Sequence, residues 1–167
     1  IGSTGSGKTQ STILPMLKLA MMANESIVLT DPKGELYDKC AGALKEKGFR
    51  VALATTPMFP SIATESRIRW VGLEPEDFEI YTTYENIGYC KPNPEYYREI
   101  LRRMDVKPEE CVALEDSKNG LLSAYRAGCK PVMVPDLWQP DKEILQIIKG
   151  KYSDLEQVKK AFESGEL

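Results

Sequence analysis

Three short apolar runs in this chain of 167 residues end in oxygen-bearing side chains. Ile27-Val28-Leu29-Thr30 runs into Asp31, Val51-Ala52-Leu53-Ala54 into Thr55, and Cys111-Val112-Ala113-Leu114 into Glu115 and Asp116. A lysine, Lys91, stands in the loop before a stretch that begins at Pro94. Carboxylates are the oxygen ligands that a hard divalent cation such as magnesium takes, and a lysine and a hydroxyl suit the charge and oxygens of a phosphoryl group. Brought to one place, these side chains would make a magnesium and phosphate pocket. Taken singly, each carboxylate after a strand reads equally as a helix N-cap. A second phosphate pattern opens the chain. Gly2, Gly5, Gly7, Lys8 and Thr9 complete G-x-x-x-x-G-K-[ST], a loop whose backbone cradles phosphates while lysine and threonine serve the terminal phosphates and magnesium.

The elements that must position these residues alternate between strand and helix. A helical stretch follows the glycine-rich loop to about Asn24, interrupted by Pro15, since an interior proline costs about 3 kcal/mol. The Ile27 strand turns through Pro32-Lys33-Gly34 into a helix over Glu35 to Lys47, with Gly48 at its cap. Strands are then expected over Phe49 to Thr55, Glu79 to Tyr84, Cys111 to Leu114 and Pro131 to Val134. Helices are expected over Ser61 to Gly72, Pro94 to Met104, Ser117 to Ala127 with Gly128 as cap, Lys142 to Ile148 and Asp154 to Glu163. Strands joined through helices on short connections make a parallel sheet wrapped on both faces, with ligands gathering at the carboxyl ends of the strands. The fold class expected is α/β, a doubly wound parallel sheet, with residues 1–24 as an N-terminal arm and helix and residues 25–167 as the core.

Composition removes other chemistries. There are 22 basic and 25 acidic residues and no histidine, so imidazole-based hydrolase triads, histidine-ligated metals and histidine pH switches are excluded. A net charge of −3 gives no electrostatic reason to expect nucleic acid or an acidic membrane surface as partner. Cys40, Cys90, Cys111 and Cys129 form no C-x-x-C pair and read as reduced, mostly packed thiols. The apolar stretch Ile13 to Met22 contains Pro15 and Lys18 and is too short for a membrane span, so a cytoplasmic chain is expected. Trp70 and Trp138 read as packing residues, and Arg67, Arg69, Arg102 and Arg103 as solvated helix faces. The loop Asp136 to Asp141 reads as a polar surface loop.

From about Lys45 onward the sequence resembles haloacid dehalogenase-like (HAD) phosphohydrolases of the beta-phosphoglucomutase-like branch. The resemblance is carried by Val51-Ala52-Leu53-Ala54-Thr55-Thr56-Pro57, by Cys90-Lys91-Pro92-Asn93-Pro94-Glu95-Tyr96-Tyr97, and by Val112-Ala113-Leu114-Glu115-Asp116-Ser117-Lys118-Asn119-Gly120 with Ala124 and Ala127-Gly128. It implies a HAD-like, Rossmann-like sheet in which Thr55 bonds the phosphate, Lys91 neutralises it, and Asp31, Glu115 and Asp116 hold magnesium. Asp31 would attack phosphorus of a small phosphorylated substrate. The family's Asp-x-Asp is incomplete, because Lys33 stands where the acid belongs, and acid/base help is typically worth 10²- to 10⁴-fold. Weak or absent turnover is therefore expected. Asp31 to Thr55 is too short for a large cap, so the site should be open.

The first fifty residues resemble TraG-type coupling ATPases of conjugation and type IV secretion, on Gly2 to Gln10 followed by Leu29-Thr30-Asp31-Pro32-Lys33-Gly34-Glu35-Leu36-Tyr37. That resemblance implies ATP as a ligand of Gly2, Gly5, Gly7, Lys8 and Thr9. Together the two suggest a composite chain. Three readings stay open on the sequence: a HAD-like phosphohydrolase, a nucleotide-binding fragment, and a non-catalytic chimeric or engineered scaffold.

Overall fold

The computed structural model describes residues 26–29, 50–70, 72–154, 157 and 161. The glycine-rich loop with Gly2, Gly5, Gly7, Lys8 and Thr9, the arm to residue 24, Asp31, Lys33 and the helix expected over Glu35 to Lys47 lie outside the described residues. So does most of the helix expected over Asp154 to Glu163.

Six parallel strands form one sheet: β1 (Ser26–Leu29), β2 (Val51–Leu53), β3 (Ile80–Tyr81), β4 (Cys111–Glu115), β5 (Lys130–Met133) and β6 (Gly150–Lys151), in the spatial order β3-β2-β1-β4-β5-β6. The four described helices are α1 (Ser61–Trp70), α2 (Glu95–Met104), α3 (Lys118–Ala127) and α4 (Lys142–Ile147). From β1 the chain steps one way through β2 and β3 and the other way through β4 to β6. Because parallel crossovers are right-handed, the helices of the two halves fall on opposite faces. The expected doubly wound α/β sheet is the fold observed. Among the described residues no helix is long and apolar enough to cross a membrane.

Registers align the strand ends that matter. Leu29 lies opposite Leu53 on one side and Leu114 on the other, so the carboxyl ends of β1, β2 and β4 are level. The strand β4 is buried at all five positions, as a strand covered on both faces must be. β3 is shorter than the expected Glu79 to Tyr84. Glu79 instead pairs with Arg50, and Thr82 and Thr83 leave the ladder as buried polar residues. The two-residue strand β6 carries no apolar pattern and was not expected.

The core lies between the sheet and α2 and α3. Tyr96, Tyr97, Ile100, Leu101 and Met104 recur at helical spacing on α2 and pack with Ala52, Ala54, Cys111, Ala113, Ala124 and Ala127. Helix α2 ends on Asp105 in the left-handed conformation, and α3 on Gly128 at φ 93°, where the absence of a side chain removes the steric penalty. A smaller cluster of Leu121, Met133 and Ile144 takes in the partly buried Trp138, as expected for a packing residue. Trp70 corrects its expectation: at the end of α1 it is 81% exposed, beside exposed Ile62 and Phe59. Helix α1 buries only Thr64 and Ile68, so its apolar residues are split between two faces. Arg69, Arg102 and Arg103 do lie on solvated faces, paired with Glu65, Glu74 and Glu99. Cys111 and Cys129 are buried and Cys90 exposed, all three as free thiols.

Candidate active site

Lys91 is the centre of the site. Its Nζ lies 2.7 Å from Glu115 Oε1, with the two side chains 7% and 1% exposed, and donates to the carbonyl of Ala54 at 2.9 Å. Two of its three ammonium protons are thus engaged among the described residues. Its charge also lies over the ring faces of Tyr96 and Tyr97, at 5.2 and 5.7 Å from their centroids. An ion pair this buried holds only where further hydrogen bonds support it, and here the Ala54 carbonyl supports the ammonium and the Tyr97 hydroxyl supports the carboxylate. The Tyr97 hydroxyl donates to the same Glu115 Oε1. Burial, reinforced by the Glu115 charge, pushes the Tyr97 phenol well above its ordinary range, so it remains a protonated donor.

The local sequence explains the placement. Lys91 precedes Pro92 through a cis peptide and enters the turn that starts α2, whose first turn carries both tyrosines inward. The Asn93 side chain accepts from the Glu95 amide at 2.9 Å and settles the helix start. Glu115 closes β4 and lies against the first turn of α3. A Cβ on Gly120 would fall 2.0 Å from Glu115 Oε2, so this close approach requires glycine. The positive end of the helix thereby faces the carboxylate. Ser117 accepts from the Gly120 amide at 3.2 Å and caps that helix. At α4 the cap is Asp141, which also pairs with Lys118 at 2.6 Å.

Asp116 follows Glu115 and is half-buried. Burial raises its carboxyl above the ordinary aspartate range; the charges of Glu115 and Asp136 raise it further, while a backbone hydrogen bond and Lys91 pull it down. A carboxylate beside the Asp116 carboxyl suits a divalent cation, and Glu115 Oε2 accepts no hydrogen bond from the described residues. The residues present therefore fit magnesium in part. Among the described residues no group of three or more potential ligands is assembled, so a cation held by Glu115 and Asp116 needs a ligand from elsewhere.

Thr55 lies just beyond β2. Among the described residues its hydroxyl makes one weak local contact, 3.3 Å to the Thr56 carbonyl. Its own carbonyl accepts from Tyr96 at 2.7 Å and from Thr82 at 2.6 Å. Thr55, Lys91, Glu115 and Asp116 thus meet at one edge of the sheet, as their positions after strands implied. Tyr96, Tyr97 and Thr82 were not anticipated as part of this edge. Their one sequence signal is that two tyrosines follow the lysine where apolar residues would fill the core equally well.

A sequence profile of haloacid dehalogenase-like hydrolases matches residues 13–128. Protein CbbY of Cereibacter sphaeroides is 34% identical over 125 residues, 75% of this chain and 53% of that protein. The phosphorylated carbohydrates phosphatase of Thermotoga maritima is 35% identical over 89 residues, 53% of this chain and 40% of that protein. The crystal structure of CbbY from Rhodobacter sphaeroides in complex with phosphate superposes with a TM-score of 0.61 at 31% identity, over 71% of this chain and 52% of that one. The chain spans about half the length of the curated relatives it matches. These matches lend no support to the coupling-ATPase resemblance, to ATP as a ligand or to a composite chain, and the residues matched by the profile span Asp31-Pro32-Lys33-Gly34-Glu35. With the sheet order, the buried lysine and carboxylate pair and a family profile covering most of the sequence all in agreement, the chain belongs to the haloacid dehalogenase-like hydrolases.

Proposed function

We propose that this chain carries the phosphate-handling core of a magnesium-dependent phosphomonoesterase acting on a small phosphorylated substrate. The observation that carries the reading is the convergence of Lys91, Glu115 and the Ala54-Thr55 strand end in one buried network. A match to a protein named for phosphorylated carbohydrates supports sugar phosphates as the substrate class.

In this reading the third ammonium proton of Lys91 and the hydroxyl of Thr55 hold the phosphoryl oxygens. Glu115 and Asp116 would hold magnesium, which would neutralise charge on the phosphoryl group. The level ends of β1, β2 and β4 support Asp31 as nucleophile, since the strand that precedes it in the sequence lies between the strands that precede Thr55 and Asp116. Attack by the Asp31 carboxylate forms a bond to phosphorus and breaks the ester P–O bond, the leaving oxygen takes up a proton, and water then displaces the carboxylate from phosphorus to release inorganic phosphate and restore Asp31. With Lys33 two positions on, the place of the family's acid holds no carboxyl group to supply that proton, and turnover should be weak.

Release of inorganic phosphate from p-nitrophenyl phosphate, with and without magnesium, tests the reading, with Asp31→Asn as control. Magnesium-dependent release lost in the variant is the expected result; equal rates in both proteins would sink the mechanism.

A further inference from the structure

We infer that Tyr96 and Thr82 are positioning residues for Thr55: their hydroxyls share its backbone carbonyl and fix the strand end that presents its side chain to phosphate. The inference rests on the phosphate-holding role proposed for Thr55.

Thr55 lies between two peptide groups, and each is held by a buried donor. The carbonyl before it, of Ala54, accepts from Lys91 at 2.9 Å. Its own carbonyl accepts from Tyr96 at 2.7 Å and from Thr82 at 2.6 Å. Since each peptide is planar, fixing both leaves Thr55 with settled φ and ψ and a settled direction for its Cα–Cβ bond. Among the described residues its hydroxyl has only the weak 3.3 Å contact to Thr56, so none of them draws the side chain away from a ligand. Lys91 and Thr55 are thereby tied into one unit, because the donors come from the loop that carries the lysine, from the helix that follows it and from the residue after β3.

The two hydroxyls also touch each other at 3.0 Å, and Tyr96 and Thr82 are 0% and 1% exposed. Two protons therefore serve three close oxygen contacts, the Leu53 carbonyl being a longer fourth one to Thr82 at 3.4 Å. Either both point at the carbonyl, or one points at it and the other at its fellow hydroxyl. In each arrangement, deleting one hydroxyl leaves the other free to donate to Thr55. The device is redundant, and its signature is a double variant worse than the two single ones combined. A buried tyrosine that merely satisfies its own hydroxyl on a convenient carbonyl would show no such pattern in ligand binding.

The test is calorimetric titration with inorganic phosphate, in magnesium, of wild type, Tyr96→Phe, Thr82→Val, Thr82→Ser and the Tyr96→Phe/Thr82→Val pair. Each single hydroxyl deletion should weaken phosphate about two- to tenfold, the span of one neutral hydrogen bond, and the pair by more than the product. Thr82→Ser should bind as wild type. The rise in melting temperature caused by magnesium alone should stay unchanged, since neither hydroxyl bonds Glu115 or Asp116. A folded double variant with wild-type phosphate affinity overturns the inference, as does equal weakening by Thr82→Val and Thr82→Ser, or parallel loss of the magnesium effect. Should the double variant fail to fold, the Thr82→Val and Thr82→Ser pair decides. Wild-type protein that binds no phosphate overturns the role of Thr55 and the inference with it, whereas loss confined to the variants separates the two.

Discussion

Replacing Gly120 by alanine sets two opposite expectations against each other. Alanine is better than glycine inside a helix by about 1 kcal/mol, so a helix seen in isolation should be stabilised. Here the new Cβ would fall 2.0 Å from Glu115 Oε2 and 2.1 Å from its carboxyl carbon. Reaching ordinary contact at 3.4 Å means moving the carboxylate by about 1.4 Å. A carboxylate at the tip of a free side chain would swing aside at small cost. This one is bonded through Oε1 to Lys91 and Tyr97, with all three side chains buried. Moving it takes the 2.7 Å ion pair toward about 4 Å, and breaking a buried pair costs about 3–5 kcal/mol. The net expectation is a loss of about 2–4 kcal/mol, which for a domain of this size lowers the melting temperature by on the order of 10 °C. Urea and thermal denaturation followed by circular dichroism read both quantities. A Gly120→Ala protein as stable as wild type, or more stable, would show that the carboxylate is free to move and that its network does not hold the strand end.

Three further outcomes follow from the same geometry. Lys91→Met should destabilise by about 3–5 kcal/mol in urea denaturation, because Glu115 is left buried without its cation; a change below about 1 kcal/mol would contradict the buried pair. The raised Asp116 carboxyl means that the folded state binds its proton more tightly than the unfolded chain does. Stability from this group is therefore lost as pH rises from the ordinary aspartate range through the raised value. Without metal, Asp116→Asn should have a higher urea midpoint than wild type at pH 7, and the gap should narrow toward pH 4; a gap that widens on acidification would reverse the assignment. Trp70→Ser should change stability by no more than about 0.5 kcal/mol, and Trp70 fluorescence should be open to quenching by iodide, since the ring is 81% exposed.

What the sequence made legible was whatever repeats with a physical period or sits at a chemically marked place. Val112, Ala113 and Leu114 form an apolar run that only a strand buried on both faces explains, so the carboxylates after it could be placed at a strand end. Ser117 and Gly128 bracket α3 by cap chemistry alone. The hydroxyls of Tyr96 and Tyr97 were not legible, because aromatic residues at helical spacing are chosen for their rings as often as for their oxygens. The Tyr96 partner is a carbonyl 41 residues away, and backbone acceptors carry no sequence signature. Trp70 was misjudged for a related reason: average burial describes tryptophans in general, while exposure here is set by which face of α1 is buried, the one with Thr64 and Ile68. The strand β6 has two residues and no alternation, and only pairing with β5 defines it.

The place of β1 in the sheet has a consequence for how the protein is made. Its two neighbours are unequal in time: β2 follows within the same stretch of chain, but Ser26 pairs with Cys111, about 85 residues later. Loop closure over that span comes before any reward from the pairing, and topologies rich in such contacts fold slowly. At synthesis rates of about 5–20 residues per second, β1 waits roughly 4–17 s for its second partner. Until then its open edge is free to pair with other chains, and the edge that carries Thr55, Lys91 and Glu115 has no β4 to complete it. A nascent chain stalled before residue 115 should accordingly be protease-sensitive and bind chaperones, with protection arriving only as β4 emerges.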